Sequence, residues 1–334
     1  MADTYTIAVD AMGGDGSLEA RVAGAVLAAR NTSVSIALVG DESAVRDELA
    51  KLHTDGLPIT VVGSEGAIIE GEHPARALLS KPKSSISVTI GLVKEAHADA
   101  AVSVGSTGAT MAASVLALGT FPGLDRPTLG GPFIGLAPKT TIIDLGANVD
   151  CKPSQLVSFG ALGGSFARFY SHLDTEHPRI GLLSVGSEEG KGNKQAQEAY
   201  ALFKTSGLNF VGNVEGHEIF TDKADVIVCD GFVGNILLKF TEGLAHAAAG
   251  FLARSLGSDS PAVAQIRGLA SVAEGGGGPL LGINGAVIAG HGRSSAEDIA
   301  ASIEFARLAV ERDLVGTMRE ELAGVTDRMK SAGG

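Results

Sequence analysis

Ile7-Ala-Val-Asp-Ala-Met-Gly-Gly-Asp15, followed by the Ala- and Val-rich stretch from Leu18 to Arg30, sets the pattern for the whole chain. Ile7 to Val9 reads as a buried strand, the glycine pair as a tight turn, and Leu18 to Arg30 as the helix that follows. Ser35 to Val39 and Ile59 to Val62 read as further strands, with Glu42 to Leu52 helical between them. The same order continues with a helix over Ser85 to His97, a strand over Ala100 to Val104 and a helix over Thr107 to Leu118. A pair of strands is expected near Phe133 to Leu136 and Thr140 to Asp144, around a turn at Pro138-Lys139. Pro153 to Tyr170 reads as a long helix that opens on proline, where a missing N–H costs nothing. Ile180 to Ser184, Asn209 to Val211 and Val226 to Cys229 add strands, with helices over Lys194 to Lys204 and Asn235 to Ala253. A last strand, Ala286 to Ala289, leads through His291-Gly-Arg293 into a helix over Ser295 to Leu314, and only Leu256 to Gly278 breaks the rhythm.

Such alternation predicts an α/β fold with a largely parallel sheet and helices on both faces. With 334 residues, 45% of them apolar, the chain can bury a sizeable core, and an aromatic content of only 4% requires that core to be aliphatic. No Pro/Ser linker divides it, so one structural unit is expected over 1–334. Val61-Val-Gly-Ser-Glu-Gly66 and Val211-Gly-Asn-Val-Glu-Gly216 echo each other and hint at two related subdomains.

The net charge of −12 argues against a nucleic-acid partner, whose phosphates demand a basic face. Cys151 and Cys229 lack metal-site spacing and read as reduced, intracellular thiols. The N-terminus lacks the features of a signal peptide, and no window is read as approaching the ~20 apolar residues of a spanning helix. A cytoplasmic protein is therefore expected.

Five glycine-rich turns follow apolar runs: Asp10 to Asp15, Gly105 to Ala109, Asp144 to Asp150, Gly186 to Asn193 and Asp230 to Asn235. In open parallel sheets ligands bind beyond the carboxyl ends of the strands, so these turns suggest a shared anion crevice. Each also reads as an ordinary tight turn with glycine chosen for geometry. None matches a Walker A loop or a GxGxxG fingerprint, which leaves inorganic phosphate or a small phosphate ester rather than ATP or NAD. No cofactor is expected.

Lys191 is the cation inside these turns and reads either as a phosphate ligand or as a solvated helix-start lysine. Asn148 and Asn235 read as donors to a developing oxyanion, or as caps of the helices they precede. Thr107-Gly108 and Asn235 are placed where helices begin, so their N–H groups can hold an anion. Ser106 and Thr107 lack the setting of an activated nucleophile. His291, at a strand end, reads as a general acid, an anion ligand or a structural histidine. Asp10, Asp15, Asp144, Asp150 and Asp230 read as ligands of a divalent cation or as holders of loop amides, and no metal is assigned.

Ordered blocks of the chain resemble the bacterial phosphate acyltransferase (PlsX) family. They are Val9-Asp-Ala-Met-Gly-Gly-Asp15, Asp144-Leu-Gly-Ala-Asn-Val-Asp-Cys-Lys-Pro153, Glu188-Glu-Gly-Lys-Gly-Asn193, Val211-Gly-Asn-Val-Glu-Gly216, Cys229-Asp-Gly-Phe-Val-Gly-Asn235 and His291-Gly-Arg-Ser-Ser295. The resemblance implies a Rossmann-like three-layer α/β/α sandwich related to phosphotransacetylases and isopropylmalate dehydrogenases, built as a single catalytic unit of two intertwined subdomains. It implies conversion of a long-chain acyl-acyl carrier protein and inorganic phosphate to acyl phosphate and free carrier protein, for phospholipid synthesis. Lys191 and Asn235 fall on positions implied to be catalytic. Asp10, Gly13, Gly14, Ser106, Thr107, Gly108, Asn148, Asn193 and His291 fall on implied phosphate and substrate positions. A homodimer is implied, together with an irregular helical tip over 251–278 for dimer or peripheral membrane contact, and a downstream glycerol-3-phosphate acyltransferase. A coenzyme A-dependent short-chain phosphotransacetylase and a non-catalytic carrier-protein or membrane scaffold are the alternatives. The chain departs from the family pattern at Ser106, at Gly16-Ser17 and at Ala273 to Gly278.

Overall fold

The structure, a computed structural model, describes residues 4–133, 137, 139–171, 175–275 and 278–332. The chain opens with β1 (Tyr5–Asp10), α1 (Leu18–Asn31), β2 (Val34–Gly40), α2 (Glu42–Leu49), β3 (Ile59–Gly63), α3 (Pro74–Ser80), α4 (Ser85–Lys94), β4 (Ala100–Ser103) and α5 (Thr107–Leu118). It continues through β5 (Thr128–Pro132), β6 (Thr141–Ile143), α6 (Pro153–Ser171), β7 (Ile180–Leu183), α7 (Lys194–Thr205) and β8 (Phe210–Val214). A 3-10 turn (Gly216–Phe220), β9 (Val226–Val228), α8 (Gly231–Leu256) and α9 (Pro261–Gly275) follow. The chain closes with β10 (Gly278–Leu281), β11 (Ala286–Ala289), α10 (Ala296–Glu311) and α11 (Leu314–Ala332). It divides into two compact units, Met1–Thr120 with Gly275–Val315, and Phe121–Glu274 with Gly316–Gly334.

In the first unit the strand order is β3-β2-β1-β4-β11-β10, parallel except for β10, which runs antiparallel to β11. β1 sits between β2 and β4, with Ile7 opposite Ile36 on one side and Ala100 on the other. All four residues of β4 are buried, which explains a continuous apolar run instead of alternation. Ala8 and Ala37 pack against Leu92 and Val93 of α4 on one face. On the other, α1 and α10 pack on each other and on the sheet. Gly24 makes that crossing close, since a Cβ there would lie 2.7 Å from the Ile299 side chain.

In the second unit the order is β5-β6-β9-β7-β8, parallel except for β5 against β6. Gly163 of α6 lets that helix settle on Val226 and Ile143, while Phe133, Ile142, Val214, Ile219 and Ile227 form a core with Leu237 of α8 on the opposite face. Each unit is thus the expected mostly parallel α/β sheet with helices.

Several elements differ from expectation. The first member of the strand pair is β5, upstream of Phe133; Ile134 to Leu136 and Pro138 lie outside the described residues. α8 begins at Gly231, four residues before Asn235, because Asp230 caps it by accepting the Val233 N–H. The stretch read as breaking the rhythm is mostly α9, an Ala-rich helix opened by Pro261. By length and apolar composition α8 is sufficient to cross a membrane, with a window of mean hydropathy 1.2, contrary to the sequence expectation. Its Ala and Leu content sustains that hydropathy although Lys239 and Glu242 form an ion pair on it.

Candidate active site

All five glycine turns lie at the carboxyl ends of strands: those after β1 and β4 in the first unit, those after β6, β7 and β9 in the second.

In the first unit, the Asp10 carboxylate, 1% exposed, accepts the N–H groups of Met12 and Gly13 on Oδ1 and the Ser103 hydroxyl on Oδ2. Ser103 Oγ in turn accepts the Gly105 N–H at 3.1 Å, so one carboxylate coordinates the turns after β1 and β4. Gly13 lies where a Cβ would be 2.9 Å from Gly105 Cα, and Gly14, at φ +81°, where one would be 2.9 Å from Gly292 Cα. Backbone therefore approaches backbone among three turns, including the one after β11 that carries His291, and no other residue fits these positions. Arg21, 4% exposed, donates to the carbonyls of Ala11, Gly14 and Gly16 and binds the loop from inside. Burial lowers its pKa against the raising effect of Asp10 and Asp15. α5 begins at Thr107 with no side-chain cap, and Thr107 and Gly108 are exposed, which leaves its first N–H groups facing outward. His291 is exposed, and its carbonyl accepts the Ser294 N–H.

The second unit repeats the device. Asp144, fully buried, accepts the N–H groups of Gly146, Ala147 and Asn148 and the Asn148 side-chain amide at 2.7–2.9 Å. Burial pushes its carboxyl up, opposed by these donors. Gly231 lies against Asn148, and Gly234 lies where a Cβ would press into the Asp144 carbonyl oxygen, so the start of α8 rests directly on this turn. Asn235 follows on the exposed surface beside Gly146, and its amide has no hydrogen-bond partner among the described residues.

Lys191 sits on the turn after β7, with its stem packed over Gly186. Its N–H donates to the Glu188 carbonyl, which also accepts the side chain of buried Asn213 at 2.8 Å. Gln197 donates to the carbonyls of Gly190 and Gly192 on either side of Lys191. The lysine is exposed and has no ion pair among the described residues, whereas nearby Lys204 is held by Glu189.

Over residues 5–316 the chain matches the family described as "Fatty acid synthesis protein". It is 42% identical to a phosphate acyltransferase of Pelotomaculum thermopropionicum, over 98% of this chain and 97% of that protein. With a phosphate acyltransferase of Nitratidesulfovibrio vulgaris it shares 43% identity, over 92% and 91% of the two chains. The chain belongs to the phosphate acyltransferase family. Its fold is also that of a phosphotransacetylase from Streptococcus pyogenes, with a TM-score of 0.64 at 19% identity, covering 93% of this chain and 95% of the other.

Within the frame of this family, several sequence-derived positions change role. Asp10 and Gly13 are buried, and the Gly13 N–H is taken by Asp10, so both hold the turn together. Asn148, 1% exposed, donates to Asp144 and to the Pro127 carbonyl and does the same for its own turn. Asn193 caps α7 by accepting the Ala196 N–H, with its amide hydrogens still outward on an exposed residue. Asn235 lies inside α8, so only its side chain, not a helix-end N–H, is available. Asp230 caps α8 through one carboxylate oxygen. The buried thiols of Cys151, pushed up to about 12 by burial and nearby Asp144 and Asp230, and of Cys229, raised well above the ordinary range by burial, are unreactive at neutral pH. Arg21 and Asn213 were not singled out from sequence; a lone arginine in a helix and an asparagine in a strand give no local sign of the distant carbonyls they hold.

Proposed function

We propose that this chain transfers the acyl group of a long-chain acyl-acyl carrier protein to inorganic phosphate, yielding acyl phosphate and free carrier protein for phospholipid synthesis. The observation that carries this reading is the pairing of availability and rigidity at Lys191 and Asn235. Both are exposed and unpartnered among the described residues, while Asp144 and Asp230 around them are engaged by backbone N–H groups. A cation with no ion pair among the described residues, on a turn fixed by Asn213 and Gln197, is a preorganised point charge for phosphate.

Phosphate is already an anionic nucleophile at neutral pH. One of its oxygens attacks the thioester carbonyl carbon, the carbonyl oxygen becomes an oxyanion, and the Asn235 amide donates to it. Collapse breaks the C–S bond, and the electron pair leaves on sulfur. A thiol of pKa about 8.5 departs as thiolate without strong acid assistance, which accounts for chemistry that uses no Ser-His or Cys-His pair. Within the first unit, Gly14, Ser106, Thr107, Gly108 and His291 are assigned to anion binding, on the outward N–H groups at the start of α5.

Homodimer formation belongs to the same reading. Phe232, Ile236, Phe240 and Leu244 recur every fourth residue on α8 and are 53–64% exposed within the 26-residue helix, a stripe suited to a second copy. Beyond them, Phe251 and Leu256 lead into the 251–278 tip, assigned to peripheral membrane contact from a cytoplasmic enzyme that passes acyl phosphate to a glycerol-3-phosphate acyltransferase.

Incubation with phosphate and, separately, palmitoyl carrier protein or acetyl-CoA tests the assignment. Acyl phosphate is expected from the carrier-protein donor. Product from acetyl-CoA alone would make it a short-chain phosphotransacetylase, and product from neither would refute an enzymatic role.

A further inference from the structure

A cavity of about 270 Å³ lies in the second unit, against the turn that carries Lys191. Leu156, Leu182, Leu183, Ala196, Val233 and Leu237 give it an apolar wall. Val233 and Leu237 are one turn apart on α8, and Asn235 stands between them in sequence. On the facing loop, Gly192 and Asn193 line the cavity directly after Lys191. Gly192, at φ +95°, has its α-carbon so close to Ala196 and Ser184 that a side chain there would meet both, 2.7 and 3.0 Å away. Val185, 83% exposed, is part of the lining and marks where it opens to solvent.

The chemistry of the lining selects among occupants. Asp230 is its only ionisable side chain other than the buried Cys229 thiol, and one Asp230 oxygen already caps α8. With no cation, the cavity gives a phosphate or carboxylate nothing to pair with, and an aliphatic wall gives an aromatic base no stacking partner. A flexible hydrocarbon chain needs only such a surface. We propose that this cavity holds an unbranched aliphatic segment of the acyl chain that lies beyond the reach of a butanoyl group, with the remaining carbons leaving past Val185. The proposal rests on the acyl-transfer reading above and adds the place where chain length is sensed.

Ala196→Trp and Val233→Trp fill the cavity from two different walls without touching Lys191 or Asn235. Each variant is assayed in the full chain with butanoyl and hexadecanoyl donors at varied phosphate. The ratio of kcat/KM for hexadecanoyl over butanoyl is expected to fall about tenfold or more, with KM for phosphate and the unfolding midpoint near wild type. A second arm needs no turnover: titration with a fluorescent polyene fatty acid should show wild type binding and both variants about tenfold weaker. An unchanged donor ratio, an equal loss for both donors in a folded variant, or fatty-acid binding as tight as in wild type would overturn the proposal. If wild type acts on neither donor, the acyl-transfer reading fails, and the fatty-acid titration still decides whether the cavity takes an aliphatic chain.

Discussion

Replacing Asn213 with alanine removes a side-chain bond that ties β8 to the turn carrying Lys191. Asn213 is 1% exposed, and its amide donates at 2.8 Å to the Glu188 carbonyl, the same oxygen that accepts the Lys191 N–H. One such bond contributes about 1 kcal/mol net, a factor of about five in an equilibrium between the held and the released turn. The change in overall stability should be smaller, because the Asn213 side-chain oxygen has no partner and its removal relieves a buried unsatisfied acceptor. Asn213→Ala is therefore expected to raise KM for phosphate about fivefold with an unfolding midpoint close to wild type. Asn213→Asp should be worse on both counts, since it sets a buried carboxylate oxygen against the Glu188 carbonyl. Initial rates at varied phosphate, with thermal unfolding of all three proteins, provide the check. An unchanged phosphate KM in Asn213→Ala, or an aspartate variant better than the alanine one, would refute the positioning of Lys191 through Glu188.

Gly234→Ala, whose new methyl group would press into the Asp144 carbonyl oxygen, should cost about 1–3 kcal/mol or more in denaturant unfolding and displace Asn235; a stability equal to wild type would contradict the packing of α8 on that turn. Burial raises the Asp225 carboxyl, but hydrogen bonds from Arg179 outweigh it and hold the group below its ordinary 3.8. A depressed carboxyl contributes stability above its unfolded pKa that is lost as pH falls, so Asp225→Asn should be less stable than wild type at pH 7 and approach it as pH falls below 3.8. Phe240→Glu with Leu244→Glu should convert a dimer to monomer in analytical ultracentrifugation, and an unchanged sedimentation coefficient would remove the α8 stripe from the interface.

Much of this fold is legible in the sequence because its strands are short apolar runs ended by glycine turns. α5 and β11 are read to the residue, and all five turns fall at strand ends. β5 is missed because Thr128-Leu-Gly-Gly-Pro132 carries the residues that usually interrupt strands. α10 reads as running on to Leu314 because its end falls on Arg312 and Asp313, the latter at φ +47°, with no glycine or proline to announce it, and α11 is not read. At the candidate site, residue type and position single out Lys191 and Asn235 but leave them open to bland readings, and the family resemblance is what marks them. The roles of Asp10 and Asp144 are not, since a carboxylate at a strand end suits a metal as well as a turn until its hydrogen bonds are seen. Asn213 lies 25 residues from the carbonyl it holds, a distance no local pattern spans.

Incubation of acyl-acyl carrier protein with radiolabelled inorganic phosphate, following both label in acyl phosphate and free carrier-protein thiol, distinguishes acyl transfer to phosphate from thioester hydrolysis. Wild type should incorporate one phosphate for each thiol released, and Lys191→Ala and Asn235→Ala should lose both signals while remaining folded. Thiol release without labelled acyl phosphate would show hydrolysis in place of transfer to phosphate, and incorporation at the wild-type rate in either variant would remove that residue from the reaction.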